Sequence, residues 1–170
     1  LSAYFLLVVN LVGAIVSLYA VAHEHGEAQP ARRLVPFQLF LFGLNLVPLA
    51  ADAFSFLVAW EFMSLASWAL ILAQIYLVMA VAGALALLVA FGLMAGGLDR
   101  YDFAALRAQR AGSLVVFVLV LFGAGSKAGL VPLHAWLPLA HPAAPSHVSA
   151  LMSGAMTKIA LYAVIRLVFD

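Results

Sequence analysis

Three side chains that are charged at neutral pH stand inside long apolar runs of this chain. Glu61 lies in FLVAWEFMSLASW, Lys127 in LFGAGSKAGLVPLH and Lys158 in LMSGAMTKIALYAV. Such a carboxylate and two ammonium groups suit proton transfer, because burial disfavours an isolated ammonium and a neighbouring carboxylate favours it. The competing reading is a structural ion pair that fastens one helix to another. A charge at the centre of a bilayer costs about 2.5–3.5 kcal/mol on insertion scales, so these residues need partners, water or an ion route. His134 follows Lys127 by seven residues and shares its face if the helix continues in phase. His147, Leu151, Gly154 and Lys158 follow an i, i+4, i+7, i+11 pattern, which predicts one helix face. Along that face His147 and Lys158 are about 16 Å apart. Ser149, Ser153 and Thr157 form a neighbouring hydroxyl row, which helix packing explains as well as water holding does. Imidazole titrates near neutrality, so His134 and His147 join Glu61, Lys127 and Lys158 as candidate proton-relay residues. His141 is read as making a loop-stabilising hydrogen bond, and His23 and His25 receive no role.

The elements that position these residues follow from composition. Of 170 residues, 67% are hydrophobic and 9% charged. Soluble domains carry about a quarter charged residues, so the solvent of this chain is mostly lipid. The net charge of +1 argues against a nucleic-acid partner. With no cysteine, the chain can form no disulfide, thiolate metal site or iron–sulfur ligation of its own. No glycine-rich phosphate loop, Ser–His–Asp constellation or dinucleotide fingerprint is present, so neither an active site for covalent chemistry nor a bound cofactor is expected. A span needs about 20 apolar residues. About six are read, over 1–22, 34–51, 53–73, 75–95, 111–138 and 146–169. The expectation is one all-α transmembrane helix bundle over residues 1–170, integral and multi-pass. A short helix at the membrane interface is expected over residues 99–109, where charges alternate with Phe103, Ala104 and Leu106. Asp52 is placed to cap the helix that begins at Ala53.

Two features of the spans stand out. The run 111–138 is too long for one crossing and contains Gly129 and Pro132. Proline cannot donate to the helical ladder, so a broken helix is expected, its freed carbonyls facing protein or water. The third and fourth spans meet at Gln74 with no room for a loop, which points to an absent segment. Both ends of the chain read as cuts through a longer protein.

The stretch GSKAGLVPLHAWLPLAHPAAPSHVSALMSGAMTKIALYAVIRL resembles the proton-conducting antiporter-like family. AADAFSFLVAWEFMSLASWAL resembles the segment that holds that family's key glutamate. The family includes large membrane subunits of respiratory complex I, multisubunit sodium/proton antiporters, and membrane subunits of hydrogenase-4 and formate hydrogenlyase. The wording HPAAPSHVSALMSGAMTK most resembles the hydrogenase-4 and formate hydrogenlyase branch. The resemblance implies that Glu61 is the family's fifth-helix glutamate, Lys127 the lysine of its broken seventh helix and Lys158 the eighth-helix lysine leading to the central axis. It implies the first of two inverted repeats, a proton-translocating role in a redox-driven pump, and other membrane subunits of a respiratory or hydrogenase complex as partners. It also implies a prokaryotic plasma membrane. A cation/proton antiporter subunit and a structural membrane anchor are the alternatives. Val81 stands where the family often has a histidine.

Overall fold

In lipid the backbone must satisfy its own hydrogen bonds, so apolar runs of span length become helices. The structure, a computed structural model, describes residues 1–24, 31–72, 74–96, 101–108 and 113–169. Helices α1 (Ser2–Glu24), α2 (Ala31–Leu49), α3 (Ala53–Ile71) and α4 (Gln74–Ala95) run back and forth. A short α5 (Phe103–Ala108) precedes α6 (Leu114–Ala128). After a break come a 3₁₀ turn (Leu133–Trp136), α7 (Leu137–Ala143) and α8 (Ser146–Leu151). A wide π turn (Met152–Met156) joins α8 to α9 (Thr157–Val168). Five stretches are long and apolar enough to cross a membrane: Ser2–Ala22, Ala53–Ile71, Gln74–Ala95, Leu114–Ala143 and Ser146–Val168. The expected second span, 34–51, is helical only to Leu49, and its apolar part is the shorter Leu34–Leu49.

The spans pack in a row, α2 on α3, α3 on α4, α4 on α6 and α6 on α9, with α1 closing against α2 and α8. Phe56 near the start of α3 meets Phe91 near the end of α4 at 5.8 Å, and Tyr76 meets Ser67 at the other end, so these helices are antiparallel. Glycine allows the closest approaches. A Cβ on Gly83 of α4 would lie 2.7 Å from Ser126 Oγ and 2.9 Å from Gly123 O of α6. A Cβ on Gly43 of α2 would lie 2.8 Å from the Met63 Cα. Large side chains such as Leu7, Leu18, Leu85 and Leu88 point outward, as lipid contact requires.

The break expected within 111–138 is present: α6 stops at Ala128, where Gly129 is left-handed at φ 76°. Other boundaries differ from the sequence reading. The span 146–169 is also interrupted, by the π turn at Met152–Met156. Thr157 N–H bonds Met152 O there, five residues back, which inserts an extra residue into the turn and rotates the helix beyond it. Around Gln74, α3 ends with Leu72 left-handed at φ 54°, and α4 begins at Gln74 itself. A left-handed non-glycine residue costs roughly 1–2 kcal/mol. The expected interfacial helix is the shorter Phe103–Ala108, and the expected residues 99, 100 and 109 lie outside the described ones. This helix is held to the α2–α3 turn by two backbone bonds, Ala53 N–H to Tyr101 O at 2.9 Å and Phe103 N–H to Ala51 O at 3.3 Å. Asp52 caps α3 as expected, accepting from Ser55 N–H at 2.8 Å and from Ser55 Oγ at 2.7 Å.

Candidate functional site

The break after α6 fixes Lys127. Leu130 N–H bonds Gly125 O at 2.9 Å, and Gly129 N–H reaches Ser126 O at 3.4 Å, a helix end that only a left-handed residue permits. Trp136 then folds back and donates Nε1–H to Ser126 O at 2.6 Å. Gly125 O and Ser126 O at the end of α6 are therefore met by protein donors. Lys127 sits in the last turn of α6, 3% exposed. Its ammonium donates to Ser64 Oγ of α3 and lies 4.8 Å over the Trp60 ring. Ser64 donates its own hydrogen to Trp60 O at 2.7 Å, which leaves its oxygen lone pairs for the ammonium.

Glu61 stands on the same helix, half-buried, one position past Trp60. It interacts with Lys127 through space, yet its shielded Oε1 has no hydrogen-bond partner. The pair therefore share a region without forming a direct ion pair. Tyr76 closes the region from α4. Its hydroxyl is 2.6 Å from Ser67 Oγ and 3.6 Å from Met156 Sδ, and its ring packs at 5.0 Å on Trp136. A small cleft between Tyr76, Met79, Ala80, Ser126 and Trp136 opens onto Lys127.

The remaining candidates are placed elsewhere. Lys158 is exposed and donates to Ser153 O at 2.6 Å, a carbonyl that also accepts from Thr157 Oγ1 at 2.8 Å. His147 is buried and meets Phe37 edge-on at 5.4 Å. The expected shared face of His147 and Lys158 is thus corrected, because the π turn between them shifts the register. His134 is exposed on the 3₁₀ turn, and because the helix does not resume in phase, the condition for its sharing Lys127's face is not met. His141 makes the expected stabilising bond, to Ser149 Oγ at 2.5 Å, but from within α7 rather than from a loop, and its Nε2 lies 3.4 Å from Ser153 Oγ. Two polar groups result, an inner one around Lys127 and an outer one linking His141, Ser149, Ser153, Thr157 and Lys158. Sequence reasoning missed Trp60, Ser64, Ser67 and Tyr76. The i, i+4 spacing puts Trp60 and Ser64 on one face beside Glu61, but nothing in the sequence singles that serine out.

The family model for the membrane part of NADH:quinone oxidoreductase and Mrp antiporter subunits matches residues 50–170. The chain belongs to that family. It is 38% identical to hydrogenase-4 component B of Escherichia coli over 185 residues, covering 100% of this chain and 28% of the relative. It is 32% identical to NADH-quinone oxidoreductase subunit N of Desulforudis audaxviator, covering 99% of this chain and 37% of the relative. Among solved structures, a chain of the Mrp complex from a Dietzia strain superposes with a TM-score of 0.82 at 29% identity, covering 98% of this chain and 34% of that one. The chain thus spans about a third of the length of these relatives. It is an integral, multi-pass antiporter-like membrane chain, and Val81 points outward at 43% exposure.

Proposed function

We propose that this chain forms part of a proton-translocating membrane subunit of a redox-driven complex, of the hydrogenase-4 or NADH:quinone oxidoreductase type. The observation that carries this reading is Lys127: an ammonium buried at a helix break inside a span, beside a carboxylate that it does not pair with. Such a group is expensive to keep in a membrane and marks an ion route more often than a structural contact. In this reading Glu61 favours the proton on Lys127 when it approaches, and Lys127 releases the proton toward Lys158 when Glu61 withdraws or is neutralised. His141, Ser149 and Ser153 would link Lys158 to the end of the bundle that holds α7. The redox chemistry belongs to partner subunits in the same membrane, in a prokaryotic plasma membrane.

The second reading, a cation/proton antiporter subunit, is favoured by the likeness to the Mrp complex. The test is the full-length protein, purified with whatever subunits accompany it and reconstituted in vesicles. The proposal expects acidification that requires an electron donor and acceptor and continues without sodium. Acidification driven by a sodium gradient alone would select the antiporter. A chain that moves no ions under either drive would be a membrane anchor.

A further inference from the structure

The ammonium of Lys127 rests on Ser64 and Trp60 rather than on Glu61, although the three residues occupy two neighbouring faces of one turn of α3. Each feature of that resting place suits a cation. Ser64 has committed its hydrogen to Trp60 O and offers only acceptor capacity. The Trp60 ring is fully buried, and an indole face attracts a desolvated cation more strongly than other rings do. Trp60 Nε1 has no hydrogen-bond partner, so nothing but packing and the cation holds the ring. Glu61 is left with a shielded, unbonded oxygen.

We propose that Ser64 and Trp60 form a second seat for the Lys127 ammonium, an alternative to Glu61, and that Ser64 is the positioning residue that keeps the Glu61–Lys127 pair open. This rests on the proton-handling reading of Lys127. Without the seat the ammonium has one strong partner left, and the pair closes. A closed pair holds its proton, because the carboxylate stabilises the charged lysine. The seat therefore sets how readily Lys127 gives its proton up.

The experiment compares Ser64→Ala, Ser64→Thr and Lys127→Ala in the full-length assembly, reading redox-driven acidification in vesicles together with subunit content. Ser64→Ala should slow acidification about tenfold, the factor that loss of one charge-assisted hydrogen bond produces. Ser64→Thr, which keeps the hydroxyl, should restore it. In a Glu61→Gln background Ser64→Ala should add no further loss, because the competing partner is gone. A structure of the Ser64→Ala assembly should show Lys127 Nζ on a Glu61 oxygen. Wild-type acidification by Ser64→Ala, with Lys127→Ala inactive, would overturn the seat and leave the reading of Lys127 standing. Wild-type acidification by Lys127→Ala would overturn both. If Ser64→Ala does not assemble, Trp60→Phe decides: it weakens the cation's attraction to the ring and breaks no hydrogen bond of the indole. Unchanged acidification by that variant would overturn the proposal.

Discussion

At the scale of residues, Glu61 is the most informative side chain, because its charge acts on Lys127 without a bond between them. Glu61→Gln keeps the shape and removes the charge. Proton transport in the full-length assembly should fall by roughly tenfold, as when an interaction equal to one unit of proton affinity is lost. Subunit content should hold or rise, since a half-buried charge inside a span is costly. Lost assembly would instead mark a structural ion pair. Glu61, Lys127 and Lys158 are legible in the sequence, because a charge contrasts with an apolar run. Ser64, Ser67 and Tyr76 are not, because hydroxyls are ordinary in helix interfaces. Only the fold shows which hydroxyl meets the ammonium.

At the scale of elements, two contacts decide where Lys127 lies: the break after α6 and the close approach of α6 to α4. The break is legible, since Gly129 and Pro132 disrupt an overlong run. The approach is not, since Gly83 and Gly123 come together from distant parts of the chain. Gly83→Val would place atoms 2.7 Å from Ser126 Oγ and 2.9 Å from Gly123 O, so the helices must separate. The expected cost is about 1–3 kcal/mol of overpacking, seen as a lower melting temperature in detergent. Gly92→Val is the control, because a Cβ there meets nothing within 4 Å. The π turn explains why the face of His147 and Lys158 cannot be read by counting: a single inserted residue defeats the 3.6 period. The α3 cap is legible from Asp52 alone. Ser55, first through its backbone N–H and then through its hydroxyl, holds the Asp52 carboxyl below its ordinary value of 3.8. A lowered value adds stability above the ordinary value and loses it as pH falls through the lowered one. Asp52→Ala should therefore cost about 1 kcal/mol at neutral pH. The gap between variant and parent should close as unfolding is followed below pH 3.8.

At the scale of the molecule, the bundle presents leucine and valine to lipid and turns one ammonium inward at a broken helix. The short helix α5 is clasped at one end of the bundle by Arg166, whose guanidinium lies 4.3 Å over Phe103 and donates to Pro48 O at 3.4 Å and to Tyr162. That clasp ties α2, α5 and α9 together, beside the two backbone bonds that hold α5 to the α2–α3 turn. The helical class and the order of spans are legible from hydropathy, because lipid imposes a length on every crossing. The inner polar group is not, since it draws on α3, α4, α6 and the turn after the break. The most direct measurement is redox-driven acidification by vesicles carrying the full-length assembly with Lys127→Ala, scored beside subunit content. A fully assembled complex that acidifies nothing is the expected result. A fully assembled complex that pumps normally would contradict the role given to Lys127.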